Sequence, residues 1–284
     1  MDPQTADVSP EDARLDGRTV VVTGAARGIG RATALAAARF GADVAICDRD
    51  GDGLAEAAAA VEAMGRGVIS SVLDVRDADA VGEFARVVGG RSGHVDGLVN
   101  NAGGTFRSAF MDTSARGDQA LIAENFTSVL GVTRSFVPLL RGRSSSVVNV
   151  TSSEAFQAAP GFGVYAAMKA AQESLTKTLA LELASDGIRV NSVSPDGIPT
   201  AGDAPLAASV QEASDFLPPP LPPLGRFARP DECAAVIVFL LGGLSRFMTG
   251  SALHVDGGLH AAGGWHRRHD PVPGETPSVQ GGVV

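Results

Sequence analysis

The sequence predicts an α/β fold in which a doubly wound parallel sheet lies between two layers of helices. From Arg18 onward, short β-branched segments alternate with alanine-rich amphipathic segments, which is typical of repeated βαβ units. The predicted strands are continuous apolar runs, as expected where helices cover both faces of a sheet. These two observations indicate a three-layer αβα sandwich of about seven strands in a single domain.

The predicted elements follow one another along the whole middle of the chain. The strands are TVVVT, DVAIC, GVISSV, DGLVN, SSVVNV, IRVNSV and ALHVD. The helices are GIGRATALAAARFG, DGLAEAAAAVEAMG, DADAVGEFARVVGG, a long segment over about residues 117–140, residues 164–186 and ARPDECAAVIVFLLGG. The domain is expected to span residues 17–258, with a flexible N-terminal arm over residues 1–16 and a polar C-terminal tail over residues 259–284.

Residues 201–226 interrupt this alternation with the proline-rich sequence DFLPPPLPPLGR. One interpretation is a stiff polyproline connector. The other is a lid over an apolar substrate, because long loops in compact domains are usually functional or disordered. We expect a substrate lid here and keep the connector as the alternative.

Charge and composition exclude several classes of partner. A formal net charge of -9 and an isoelectric point near 5.0 give no electrostatic basis for binding nucleic acid or an anionic membrane. No apolar run reaches the roughly 18 residues of a membrane span, and the acidic N-terminal segment does not resemble a signal peptide. Cys47 and Cys233 lie in predicted core elements and are too few for a disulfide framework, so a cytoplasmic protein is expected.

A glycine-rich turn, TGAARGIG, follows the first predicted strand and opens the first helix. Glycine lets a pyrophosphate approach the backbone closely, and the free N–H groups at a helix N-terminus favour negative charge. The strand before and the helix after favour a dinucleotide-binding turn over a simple tight turn, although the spacing is GxxxGxG. The predicted cofactor-binding residues of this turn are Gly24, Arg27, Gly28, Ile29 and Gly30.

An acidic residue, Asp48, ends the second predicted strand. Its carboxylate can accept hydrogen bonds from the adenosine ribose hydroxyls and would repel the 2′-phosphate of NADP. Arg27 and Arg49 favour the opposite choice, because a guanidinium near the ribose can pair with that phosphate. We take the carboxylate as decisive and expect NAD rather than NADP, with a helix cap as the alternative role of Asp48.

A catalytic pair is predicted at Tyr165 and Lys169, which share one face of a strong helix at a spacing of four residues. The ordinary pKa of a phenol, about 10, is too high for a base at neutral pH, and a nearby ammonium lowers it. Lys169 can also bond the nicotinamide ribose. Ser152, 13 positions before Tyr165, would hold the substrate oxygen as a positioned donor. A packing role for the Tyr165 ring is the alternative.

These motifs together resemble the short-chain dehydrogenase/reductase family, which has a Rossmann fold, over about residues 18–258. The resemblance rests on TGAARGIG, Asp74 after the third strand, NNAG, Asn125 in ENFTSVL, Ser152, YAAMK and RVNSVSP. It implies that Asn125 holds a water that relays protons to Lys169, and that the protein is a homotetramer. It also assigns cofactor contacts to Asp74, Val75, Asn101, Ala102, Gly103, Pro195, Ile198 and Thr200.

One departure from the family lies after the sixth strand, where Pro195 is followed by Asp196 instead of glycine. Either the turn's flexibility is shifted by one residue to Gly197, or Asp196 places a carboxylate near the nicotinamide. The second case would disfavour anionic substrates.

The leading functional hypothesis is NAD-linked oxidation of a secondary alcohol, or the reverse reduction, on a small apolar molecule such as a steroid, terpenoid or other alicyclic compound. One alternative is an NADPH-dependent 3-oxoacyl thioester reductase. Another is a dinucleotide-binding regulator without catalysis, which the joint presence of Asn125, Ser152, Tyr165 and Lys169 disfavours. No metal site is predicted.

Overall fold

The computed structural model of the protein describes residues 7–199 and 221–263. Its centre is a seven-stranded parallel sheet with the order β3-β2-β1-β4-β5-β6-β7. The strands are β1 (Thr19–Thr23), β2 (Asp43–Asp48), β3 (Val68–Val72), β4 (Gly97–Asn100), β5 (Ser145–Val150), β6 (Ile188–Pro195) and β7 (Ala252–Val255). The predicted fold class and the predicted strands are confirmed.

The helices of the described residues lie on both faces of the sheet. They are α1 (Gly28–Arg39), α2 (Gly51–Glu62), α3 (Ala78–Ser92), α4 (Ala115–Ile122), α5 (Ser128–Leu140), α6 (Gly163–Glu182), α7 (Pro230–Leu241) and the short α8 (Leu259–Ala262). The long helix predicted over residues 117–140 is interrupted by a π-helical turn at Ala123–Thr127. None of the helices within the described ranges is long and apolar enough to span a membrane.

The alternation of side chains along β1 divides the core into two layers. Val20 and Val22 pack into the cluster beneath α1, α2 and α7, whereas Val21 packs into the cluster beneath α3, α5 and α6. All five residues of β1 are buried, which explains the continuous apolar run in its sequence. The strand β3 differs from that expectation, because it lies at the edge of the sheet that the described residues form, and Val72 is 63% exposed.

Part of the predicted N-terminal arm packs against the domain. Pro10–Ala13 forms a single 3-10 turn, and Leu15 is completely buried. The Leu15 N–H donates to the Phe40 carbonyl at 2.8 Å, and Arg246 Nη1 lies 3.3 Å from Asp12 Oδ1. An apolar residue two positions before Gly17 therefore anchors the end of this segment, which differs from the expected flexible arm. Residues 1–6 and most of the C-terminal tail, 264–284, lie outside the described residues.

The strand order positions the functional site. The chain crosses from the β3 edge to β4 on the other side of β1, so the loops after β1 and β4 diverge at the carboxyl edge of the sheet. In open parallel sheets, ligands bind in the crevice at this reversal of strand order. The glycine-rich turn follows β1, and the NNAG sequence follows β4 at the same edge.

We predict that Phe136→Ala destabilises the fold by about 3–5 kcal/mol. Phe136 has no exposed surface, and its ring centroid lies 5.7 Å from that of Phe84 at an interplanar angle of 70°. Urea unfolding of both proteins measures the difference. The control is Leu181→Ala, at a site that is 81% exposed, with an expected change within about 0.5 kcal/mol. Equal changes in the two variants would contradict this description of the core.

Candidate dinucleotide and catalytic site

The turn after β1 is shaped to bring backbone close to a ligand. Gly24 has φ +66°, and a Cβ atom added there would lie 2.9 Å from the Ala102 Cα atom. A Cβ atom added to Gly30 would lie 2.0 Å from the Gly24 carbonyl oxygen. Arg27, the N-cap of α1, makes no side-chain cap hydrogen bond to the first turn. These features fit a phosphate group, because the glycines let a ligand approach the backbone closely at the helix N-terminus.

The turn is fastened to the loop after β4 by hydrogen bonds. Asn101 Nδ2 donates to the carbonyl oxygens of Thr23 and Gly24 at 3.0 and 3.1 Å. The Thr23 hydroxyl oxygen accepts from the backbone N–H groups of Asn101 and Ala102, both at 3.0 Å. The side chain of Asn101 therefore shapes the glycine-rich turn.

The Asp48 carboxylate is held by backbone groups at the end of β2. Its Oδ2 atom accepts from the Ala26 N–H at 3.0 Å, and its Oδ1 atom accepts from the Asp50 N–H at 3.0 Å. Arg27 pairs with Asp50, and Arg49 Nη1 lies 3.9 Å from Glu124 Oε1. Both guanidinium groups that face this part of the cleft thus already have carboxylate partners.

A cleft of about 520 Å³ extends from the glycine-rich turn after β1 to α6. Of the predicted cofactor and catalytic residues, it is lined by Gly24, Arg27, Gly28, Ile29, Asp48, Arg49, Asp74, Val75, Asn101, Ala102, Gly103, Tyr165, Lys169 and Pro195. Four others, Gly30, Asn125, Ser152 and Ile198, do not line it; Ile198 packs against the core. Thr200 and residues 201–220 of the predicted lid lie outside the described residues.

In the part of the cleft where the adenine is predicted to lie, Asp74 forms an ion pair with Arg76. Hydrogen bonds from the Arg76 guanidinium hold the pKa of the Asp74 carboxyl below its usual range. The backbone N–H of Arg76 also donates to Asp74 Oδ1 at 2.9 Å. Asp74 is therefore an ionised, fixed acceptor beside the predicted adenine position.

The ammonium group of Lys169 is buried beside the Tyr165 ring. Lys169 is 4% exposed, its Nζ atom donates to the Val150 carbonyl at 2.9 Å, and the same atom lies 5.6 Å from the Tyr165 ring centroid. Burial lowers the pKa of Lys169 to about 8, and the negative charge of Glu154 is the strongest influence opposing that shift. A lysine in this state carries its charge at neutral pH and loses it under mildly alkaline conditions.

Asn125 lies in the π-helical turn and fixes the loop after β4. Its Oδ1 atom accepts from the Gly104 N–H at 3.3 Å, and its Nδ2 atom donates to the Gly104 carbonyl at 2.8 Å. Gln172 of α6 donates to the Asn125 carbonyl, which connects the π-helical turn to α6. A Cβ atom added to Gly103 would lie 2.9 Å from Asn125 Oδ1 and 3.4 Å from Lys169 Nζ, so these two polar atoms face one small space.

Ser152 lies at the end of β5, with 6% of its surface exposed, and its hydroxyl donates to the carboxylate of Glu154. The neighbouring Ser153 hydroxyl lies between Glu154 and Asp196 and donates to Asp196. Burial raises the pKa of Asp196, and the hydrogen bond from Ser153 opposes that shift. Asp196, the departure from the family pattern, is thus joined to the segment that carries Ser152.

Three carboxylates that the sequence analysis did not select belong to this site, Glu124, Glu154 and Glu173. Glu173 is 5% exposed, and its two oxygens accept from the Thr151 hydroxyl at 2.5 Å and the Ser192 hydroxyl at 2.7 Å. Its position four residues after Lys169 on α6 places it on the same helix face, so the spacing was a usable signal. Nothing in the sequence distinguishes Glu154 from a solvated loop residue.

Comparisons with known proteins place the chain in one family. A family model described as enoyl-(acyl carrier protein) reductase matches residues 24–260. The 3-oxoacyl-(acyl-carrier-protein) reductase of Thermotoga maritima is 38% identical over 87% of this chain and 99% of its own length. The cyclohexanol dehydrogenase of Rhodococcus sp. (strain TK6) is 35% identical over 86% of this chain and 97% of its own length.

Solved structures agree with this placement. The carveol dehydrogenase of Mycobacterium avium, in complex with NAD, has a TM-score of 0.81 and 28% identity, covering 86% of this chain and 98% of that one. A short-chain oxidoreductase of Pseudomonas aeruginosa PAO1, bound to NADPH, has a TM-score of 0.78 and 34% identity, covering 87% of this chain and 98% of that one. The chain therefore belongs to the short-chain dehydrogenase/reductase family of oxidoreductases.

We predict that Asn125→Ala destabilises the protein by about 1–3 kcal/mol, because the N–H and the carbonyl of Gly104 both lose their side-chain partner. Thermal and urea unfolding measure the change. Gln119→Ala on α4 is the control, since Gln119 is exposed and its side chain is polar and of similar size. A loss no larger than that of the control would show that Gly104 does not depend on Asn125.

Proposed function

We propose that the protein transfers a hydride between NAD(H) and a secondary alcohol or ketone on a mostly apolar, alicyclic substrate. The observation that carries the proposal is the buried Lys169 ammonium, placed beside Tyr165 where the dinucleotide-sized cleft ends. A pair of this kind has chemical use where a phenol must exchange a proton with a substrate oxygen.

Each residue has a defined part in the proposed reaction. Tyr165 takes the proton of the alcohol in oxidation and returns it in reduction, and the positive charge of Lys169 favours the phenolate. Ser152 contacts the substrate oxygen and positions it. Asn125 and Lys169 face a common space beside Gly103, where a bound water would pass protons toward Lys169. The bound nicotinamide supplies or accepts the hydride.

The Asp48 carboxylate supports NAD as the cofactor. Because two backbone N–H groups hold it at the end of β2, its remaining lone pairs are directed by the fold and are suited to ribose hydroxyls. Arg27 and Arg49, which would otherwise favour a 2′-phosphate, face Asp50 and Glu124. The similar carveol dehydrogenase is a complex with NAD, whereas the Pseudomonas protein is bound to NADPH.

The substrate class is supported by the named relatives. Carveol dehydrogenase and cyclohexanol dehydrogenase are both named for alicyclic alcohols. A second candidate is reduction of a 3-oxoacyl thioester, which the Thermotoga relative favours at 38% identity. A substrate panel of hydrophobic cyclic alcohols, polyols and 3-oxoacyl thioesters decides between them. Turnover confined to polyols or thioesters would contradict the alicyclic proposal.

The homotetrameric state remains a prediction from the resemblance to the family.

We predict that Tyr165→Phe lowers kcat by about 10²–10⁴-fold while the dissociation constant for NADH changes little, because only the proton-transfer group is removed. Steady-state kinetics and NADH fluorescence titration measure the two quantities separately. Wild-type activity in the variant would contradict the assignment of Tyr165. A parallel loss of NADH binding would instead indicate a packing role for its ring.

We predict a preference for NAD over NADP of more than tenfold in kcat/KM, reduced about tenfold or more by Asp48→Asn, because the repulsion of the 2′-phosphate is removed. The control is Asp52→Asn, an exposed carboxylate in the first turn of α2. Its cofactor ratio should match the wild type. A wild-type preference for NADP would contradict the cofactor proposal.

A further inference from the structure

We infer that Glu154 determines substrate specificity by holding the hydroxyl proton of Ser152 until a second substrate hydroxyl, beside the reacting carbon, takes its place. In this scheme Glu154 acts on the reacting oxygen through Ser152, and its only direct contact with the substrate is the second hydroxyl, so it is a specificity-determining residue. The inference rests on the proposed function and names a narrower substrate class, cyclic alcohols with a neighbouring hydroxyl group.

The contact between the two residues is local and directional. Ser153–Ala155 forms a 3-10 turn directly after β5, which folds the Glu154 side chain back toward Ser152. Glu154 is half-buried, and among the neighbouring carboxylates its negative charge acts most strongly to raise the pKa of Lys169. Glu154 therefore lies within the electrostatic reach of the proposed reaction centre, although it does not line the dinucleotide cleft.

A serine hydroxyl has one proton and two lone pairs. When that proton is donated to Glu154, Ser152 cannot donate it to a ketone or a developing alkoxide. Only lone pairs of Ser152 then face the substrate oxygen, and the positioned donor that this chemistry needs is absent. The carboxylate of Glu154 thus competes directly with the substrate oxygen for Ser152.

The surroundings of Glu154 leave it in need of a replacement donor. Ser153 Oγ lies 3.3 Å from Glu154 Oε2 and closer to Asp196, and its single proton can be donated to only one of these carboxylates at a time. Asp196 is fixed in turn by the Gly197 N–H, which donates to its Oδ1 atom at 2.6 Å. A substrate hydroxyl that donates to Glu154 would satisfy the carboxylate and free the Ser152 proton for the reacting oxygen.

This exchange gives opposite effects on two kinds of substrate. When a simple cyclic alcohol binds, Ser152 must give up its hydrogen bond to Glu154, and no other donor then replaces it at the carboxylate. With a cyclic 1,2-diol, the second hydroxyl provides that substitute. Removal of the Glu154 carboxylate should therefore improve turnover of the simple alcohol and weaken turnover of the diol, whereas a purely structural role would change both in the same direction.

The experiment compares cyclohexanol with cis- and trans-cyclohexane-1,2-diol, each with NAD, in the wild type, Glu154→Ala, Glu154→Gln and the control Glu182→Gln. Glu182 is an exposed carboxylate on α6, so its variant removes one charge away from the site. We expect the wild type to prefer one diol by roughly tenfold in kcat/KM, the worth of one hydrogen bond to a charged group. The preference should disappear in Glu154→Ala, decrease in Glu154→Gln and persist in Glu182→Gln.

The outcomes separate the two proposals. A diol-to-cyclohexanol ratio that is unchanged in both Glu154 variants, or a wild-type preference for cyclohexanol, overturns the role of Glu154 and leaves the proposed function intact. If the wild type oxidises neither kind of alcohol, the alicyclic substrate class fails, and the role of Glu154 fails with it. If Glu154→Ala does not fold, the ratio in Glu154→Gln decides.

Discussion

The site depends on a lysine ammonium held away from water. Placing the charge of Lys169 in the interior is unfavourable unless polar groups surround it, and the protein provides the Val150 carbonyl together with the negative charges of Glu154, Glu124 and Glu173. The Val150 contact requires α6 to pack against the carboxyl end of β5. That packing places Tyr165, one turn earlier on α6, at the same edge of the sheet. The position of Tyr165, the proposed proton-transfer residue, thus follows from the contacts that hold the buried charge of Lys169.

The sheet connects this charge to the end of the cleft that the glycine-rich turn lines. β1 and β4 are neighbours, and the hydrogen bonds from Asn101 join the loop after β4 to the glycine-rich turn after β1. On the other side, Asn125 fixes Gly104 of the same loop and faces Lys169 across Gly103. A single loop therefore contacts both halves of the site, so the distance between the glycine-rich turn and α6 is set by backbone and amide hydrogen bonds.

The sequence was most informative where one physical requirement dominates. Strands covered on both faces need continuous apolar runs, and β1, β4 and β5 are buried along their whole lengths. Tyr165 and Lys169 share a helix face by spacing alone, and the structure brings them to one cleft. The sequence was less informative where contacts between distant parts of the chain determine the local structure. The burial of Leu15 depends on the distant Phe40, the π-helical turn depends on Asn125 meeting Gly104, and the contact of Glu154 with Ser152 depends on a 3-10 turn without a sequence signature.

The titration of Lys169 tests the buried ammonium most directly. It can be measured because the chain has few lysines. The sequence contains only two lysines, Lys169 and the exposed Lys177, so NMR of protein labelled with ¹³C at the lysine ε-carbon shows two signals. Lys169→Arg assigns them by removing one. The account predicts that the Lys169 signal titrates with a pKa of about 8, well below the ordinary lysine value of about 10.4. A Lys169 signal that titrates like a solvated lysine would contradict the buried ammonium on which the proposed catalysis rests.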